Sequence, residues 1–301
     1  MLAASGCVLK GKIQDRSYQP EHYLELYQGC SPIDQELLQG FAVLHIACDA
    51  EAFVSFISKL PRTRSATLSP EVITSRLHEL SRQGLLIEED ERFSLPVELI
   101  QELTSQLVWA QRYEAFNGVA RAIFSQLGAL CEEPINEASH ERLIEAGPRA
   151  FFFVLRDALY RRGAPIEELD AMCALYDELF PDASRRAHPY LELFDTPFRE
   201  QWFSHFSPSL TAHLLISLLM QKLSALRDPQ KPLEALEGLY KSCKDERVSD
   251  EIYEFLSVFY RLRGRPTLEW LNERVVPERR QGWSLSARAL TTASRATYQG
   301  S

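Results

Sequence analysis

No apolar run in this chain is long enough to cross a bilayer. Ala150 to Leu155 is stopped by Arg156 and Asp157, and Leu214 to Met220 by Gln221 and Lys222, whereas a span needs about 20 residues. Cysteines are few and scattered. The six, at 7, 30, 48, 131, 173 and 243, never form Cys-x-x-Cys, which excludes a small disulfide scaffold and predicts free, mostly buried thiols in a reducing cytoplasm. Ala4-Ser5-Gly6-Cys7 resembles a lipoprotein cleavage box, but only six residues precede Cys7, with no charged start and no apolar core. Glycine is sparse, with 13 in 301 residues, placed singly as helix stops. Gly-x-x-x-x-Gly-Lys-Ser/Thr, Gly-x-Gly-x-x-Gly and Gly-x-Ser-x-Gly are all missing, which removes two phosphate cradles and one nucleophile elbow. The seven histidines form neither His-x-x-x-His nor His-Glu-x-x-His, and zinc needs convergent ligands. Positive charge is also in deficit. Lysine and arginine number 33 against 42 aspartates and glutamates, a net charge of −9, which argues against a wholly basic nucleic-acid coat.

What is present is helical patterning, in an ordinary globular composition with 45% hydrophobic and 25% charged residues. The length suggests two or three domains. Residues 1–30 read as an N-terminal arm, with a short strand or extended piece at Cys7 to Ile13 and a helical turn at Glu21 to Tyr27. Ser31-Pro32 starts a helix with Leu37, Phe41, Leu44 and His45 at helical spacing. His45 reads as a satisfied core histidine. Asp49 starts a second helix with Phe53, Phe56, Ile57 and Leu60 on one face. Pro61 to Thr67 is a basic connection. Ser69-Pro70-Glu71 starts a third helix with Ile73, Leu77 and Leu80 inward, ended by Gly84. Leu85 to Pro96 then reads as a β-hairpin around the charged tip Glu88 to Glu91. Helical patterning resumes at Val97. From about residue 108 only helices are expected, broken every 15–25 residues at Gly- and Pro-containing stretches. The pairs Glu132-Glu133 and Glu167-Glu168 read as solvated faces or helix N-terminal partners.

Three helices followed by a hairpin resemble a winged helix over Ser31 to Leu95, with Ser69 to Ile87 similar to that superfamily's third helix and first wing strand. The strings Leu155 to Gly163 and Leu256 to Gly264 echo each other and resemble degenerate tetratricopeptide-type repeats. An irregular helical bundle is the other reading. The expected fold is therefore mostly α: a winged-helix-like domain at 31–107, then an α-helical repeat-like or bundle domain at 108–301. The order resembles the C-terminal parts of bacterial signal-transducing ATPases of the maltose-regulator type, carried by Leu77 to Leu107. It also resembles the N-terminal accessory region of Swi/Snf-type bacterial helicases. Both comparisons, and the apolar helix read at Ser284 to Ala296 near the end, imply an excised, C-terminally truncated segment of a longer protein.

No catalytic constellation, cofactor or metal site is legible. The expected function is a non-catalytic interaction or regulatory module, docking a protein partner or regulating an attached catalytic domain. The alternative is a nucleic-acid-binding module. In that case Thr74, Ser75, His78, Ser81 and Arg82 face outward on the third helix, where a recognition helix meets the major groove. Lys59, Arg62 and Arg64 in the preceding connection would hold phosphates, with Arg76 also part of the nucleic-acid-binding set. A second basic patch lies between Arg261 and Ser301, where eight arginines, including Arg274, Arg279 and Arg280, face three glutamates. Glu71, Glu79 and the acidic tip Glu88 to Glu91 oppose phosphate binding and tilt the reading towards protein docking. A continuous basic stripe joining Arg62, Arg82 and the C-terminal arginines would favour nucleic acid.

Overall fold

A computed structural model describes residues 20–132, 137–184 and 188–262. The expected strand or arm at Cys7 to Ile13, the helix at Ser284 to Ala296 and the C-terminal arginine cluster from Arg263 onward lie outside the described residues.

Helix α1 (Pro20–Gln28) covers the turn expected near Glu21. Ser31 then opens α2 (Pro32–Leu44). Its Oγ accepts the Asp34 N–H at 3.2 Å, and Pro32 occupies the first turn, where its missing N–H costs nothing. Gly40 lets α2 approach α3 (Ala50–Ser58). A Cβ at residue 40 would lie 3.1–3.2 Å from the side chains of Phe53, Phe56 and Ile57. Phe41 stacks on Phe53 beside this contact, with ring centroids 3.9 Å apart.

Asp49 caps α3, its carboxylate accepting the Ala52 N–H at 2.7 Å. The same residue belongs to a two-residue strand, β1 (Cys48–Asp49), that the sequence reading did not contain. Helix α4 (Pro70–Arg82) buries Ile73, Leu77 and Leu80, the expected face. It ends at Gly84, whose φ is 79°. There Leu85 N–H donates to Leu80 O and Gly84 N–H to Ser81 O, both at 2.9 Å. These two backward bonds satisfy carbonyls that a helix end leaves open.

The chain continues into β2 (Ile87–Glu89) and β3 (Arg92–Ser94), antiparallel, with Glu89 opposite Arg92. The turn is only Asp90-Glu91, both at positive φ (50° and 62°), the geometry that matches strand twist in a two-residue hairpin. Glu88 and Glu89, expected in the tip, are paired as strand. Cys48 of β1 pairs with Phe93, so the sheet has the order β1-β3-β2 and is antiparallel throughout.

Helices alone follow: α5 (Val97–Trp109), α6 (Tyr113–Ile123), α7 (Ser125–Glu132), α8 (Glu137–Ala146), α9 (Pro148–Arg156), α10 (Ile166–Leu179), α11 (Pro181–Ser184), α12 (Pro189–Phe194), α13 (Pro208–Ser224), α14 (Gln230–Ser242) and α15 (Glu246–Leu262). The described protein is thus mostly helical with one small sheet. The two echoing strings differ in backbone. Leu155 to Gly163 passes from α9 into a π-helical turn at Asp157–Arg162, whereas Leu256 to Leu262 is regular α-helix within α15. Asp157, fully buried, holds the π turn through Arg161 at 2.6 and 2.9 Å.

The buried side chains form one contiguous cluster from Tyr27 to Tyr260. At its centre Arg156, 1% exposed, donates to Ala42 O (3.0 Å), Thr104 Oγ1 (2.8 Å) and Gln101 Oε1 (2.9 Å). It forms no ion pair among the described residues. Ala42 O lies in the last turn of α2, where the helix dipole is negative, so the cation meets a partial compensating charge. His45 is buried as expected, but it is not satisfied. It terminates α2 at φ 58°, stacks on Phe152 at 5.2 Å, and its Nδ1 has no partner. Burial first, and then Arg156 and Arg149, hold its pKa well below the usual imidazole range.

Among the described residues no helix is long and apolar enough to cross a membrane. The five described cysteines are free, and all but Cys30 are buried.

Candidate interaction face

The residues that the sequence singles out lie on the α3–α4 connection, the outer side of α4 and the hairpin. The basic end of this set is a consequence of alternation. Thr63 and Ser65 turn inward and are buried, so Arg62 and Arg64 turn outward. Ser65 fixes the loop to α2, its N–H and Oγ donating to Glu36 Oε2 at 3.0 and 3.1 Å. Lys59 is the exposed C-cap of α3, and Arg62 sits at φ 56°. Lys59, Arg62 and Arg64 make no ion pair among the described residues, so the structure gathers three free cations on one connection.

On α4 the situation is reversed. Thr74 is half-buried and Ser75 exposed, as a recognition face requires. Each basic group beside them has a carboxylate within 3.2 Å. Arg76 Nη1 meets Asp34 Oδ1 at 2.7 Å, which turns it towards α2. His78 Nδ1 lies 3.2 Å from Glu88 Oε2, with its ring edge-on to Phe93 at 5.2 Å. Arg82 Nη2 meets Glu79 Oε2 at 2.5 Å. The Glu71 carboxyl is held below the usual range by its own backbone N–H and by Ser69, so it stays ionised at the start of α4. Between residues 31 and 95, ten acidic residues face six lysines and arginines. Glu88, Glu89, Asp90 and Glu91 are all exposed. The hairpin folds back along α4, so that Glu88 reaches His78 one turn before the end of the helix. Arg274, Arg279 and Arg280 lie outside the described residues, so the expected stripe from Arg62 through Arg82 to those arginines has no described third part.

The sequence named the cations but not their partners. Glu79 and Arg82 are three apart on a helix, a spacing that signals a pair. Asp34 and Arg76 are 42 residues apart and meet only because the fold brings α4 near the start of α2.

Other chemistry is thin among the described residues. No group of three His, Cys, Asp or Glu is placed to hold a metal. Burial pushes the Cys48 and Cys173 thiols up to about 12, so neither supplies a thiolate at neutral pH. His213 Nε2 and Asp170 Oδ1 are paired at 2.9 Å on α13 and α10.

No protein-family model matches the chain, and neither a curated protein nor a solved structure matches it.

Proposed function

We propose that the chain is a non-catalytic interaction or regulatory module, an accessory segment of a larger bacterial multidomain protein. It docks a protein partner, or regulates an attached catalytic domain, through a winged helix followed by a helical array. The order α2-β1-α3-α4-β2-β3, with the sheet order β1-β3-β2, supports the winged-helix reading. One observation carries the preference for protein over nucleic acid. Arg76, His78 and Arg82, the basic groups of the outer α4 face, are each paired with a carboxylate of the same module. A phosphate would meet those carboxylates and an acidic hairpin tip, and phosphate contacts supply most of the affinity for DNA.

The alternative, a nucleic-acid-binding module of a helicase or transcription regulator, rests on Lys59, Arg62 and Arg64, which carry no such partners. Fluorescence anisotropy with labelled double- and single-stranded DNA at roughly 50 and 200 mM salt separates the two. The expected result is no saturable binding at either salt. Binding that falls steeply with salt and is lost in Arg62→Glu/Arg64→Glu would replace the docking reading by the alternative.

A further inference from the structure

A cleft of about 750 Å³ opens where the short 3-10 helix Glu200–His205 meets the first half of α13 and the second half of α14. That volume lies within the roughly 300–1,000 Å³ typical of ligand sites. Its apolar surface comes from Phe203, Phe206, Leu215 and Leu239, of which Phe203 and Leu215 are buried. Phe206 is held in place by Tyr160, the two rings stacking with centroids 5.5 Å apart. Gly238 adds room on the α14 side. Glycine disfavours a helix interior, and at Gly40 close packing explains it. At residue 238 no neighbour requires it, because a Cβ there would meet nothing nearer than Glu200 Oε1 at 3.8 Å. The space that a side chain would take belongs to the cleft.

The polar chemistry of the lining is one-sided. Its three hydroxyls spend their protons on backbone carbonyls: Thr211 on Phe203 O at 3.3 Å, Ser204 on Gln201 O at 2.9 Å and Ser242 on Gly238 O at 3.0 Å. Among the described residues, the charged members of the lining are Arg199 and Glu200. Arg199 Nε lies 3.1 Å from Glu102 Oε2 of α5, so its charge is already balanced. Glu200 is exposed, and its carboxylate forms no ion pair or hydrogen bond among the described residues. An anion entering the cleft therefore meets an unbalanced carboxylate and no free hydroxyl donor. A cation meets the same carboxylate with apolar surface beside it.

We propose that this cleft binds a small organic cation, an ammonium group carried on an aryl or alkyl body. The body rests on Phe203, Phe206 and Leu215, and the ammonium lies beside the Glu200 carboxylate. One exposed ion pair contributes little, so the buried apolar body supplies most of the affinity and Glu200 supplies the preference for charge. The proposal goes beyond the docking reading above and does not depend on it.

The test is ligand-observed saturation-transfer NMR on the full chain, with three probes that share one body: phenylbutylammonium, phenylbutanol and phenylbutyrate. Two variants complete it. Glu200→Gln removes the charge at an exposed position, and Gly238→Leu fills the cleft from an exposed helical position. The ammonium probe should bind saturably and about threefold tighter than the alcohol, the scale of one exposed ion pair, with the carboxylate weakest. Glu200→Gln should bring the ammonium to the alcohol's affinity and leave the alcohol unchanged. Gly238→Leu should abolish saturable binding of all three, with circular dichroism unchanged and melting not lowered. Equal binding of the three probes by the parent chain, or an ammonium preference that survives Glu200→Gln, would overturn the cationic assignment. Binding that Gly238→Leu leaves intact would overturn the cleft as the site. No saturable binding of any probe would overturn the ligand site itself.

Discussion

Arg156 and His45 are the two residues at which this protein departs most from an apolar core. A buried cation without a carboxylate is costly unless hydrogen bonds compensate it. Arg156 has three acceptors; its removal would leave Gln101 Oε1 without a donor and would take one bond each from Ala42 O and Thr104 Oγ1, which keep the contacts of the Thr104 hydroxyl with Ala42 O and Ile100 O. Arg156→Met should therefore destabilise the fold by about 2–4 kcal/mol, since each buried group left unpaired costs about 1–3 kcal/mol and the relieved charge returns part of that. Urea unfolding checks this, and a variant as stable as the parent would show the clamp to be dispensable. His45 makes a pH prediction. Its folded-state pKa is depressed, so below about 6.5 the unfolded chain takes up a proton that the folded one refuses. Stability should hold above pH 6.5 and decline as pH falls below it. His188 and His205 are shifted the same way by burial. His45→Asn, which tolerates the left-handed backbone and does not titrate, should reduce the slope between pH 6.5 and 5 without abolishing it. An unchanged slope would assign the acid sensitivity elsewhere. Neither the unpaired Nδ1 nor the guanidinium clamp was legible in the sequence. Both depend on what packs against α2 from more than a hundred residues away.

The elements themselves were far more legible, because their ends are written locally. Ser31-Pro32, Asp49, Ser69-Pro70 and Gly84 each mark a boundary by capping or by positive φ. β1 was not legible because two residues carry no alternation, and its existence depends on Phe93 as a partner. The hairpin tip was placed too wide because Glu88 and Glu89 have poor strand propensity, which the pairing with β3 overrides. Asp90-Glu91 offers a direct test at this scale. Both residues hold positive φ without being glycine or asparagine. Replacing them by Asn-Gly should stabilise the protein by about 0.5–1 kcal/mol, read as a rise in Tm. A fall would mean that those side chains make contacts worth more than the strain. Gly40→Val should act in the opposite direction, costing about 1–3 kcal/mol in urea unfolding by forcing α2 off Phe53, Phe56 and Ile57. The candidate face divides in the same way. Lys59, Arg62, Arg64 and the outward positions of α4 could be read from spacing, whereas the commitment of Arg76 to Asp34 could not.

At the scale of the molecule, one buried cluster runs through the described chain, and Arg156 joins α9 to both α2 and α5 within it. Differential scanning calorimetry should therefore show a single cooperative transition. Two resolved transitions would mean that the chain divides physically near residue 107, where the sequence pattern changes.

The same clamp has a consequence for how the protein is made. Ala42 and its arginine partner are 114 residues apart. At about 5–20 residues per second, a ribosome needs roughly 6–23 s to bridge that interval. Throughout it, the end of α2 has emerged without the cation that closes it. Until α9 arrives, the N-terminal helices and sheet lack the clamp that ties α2 and α5 to it.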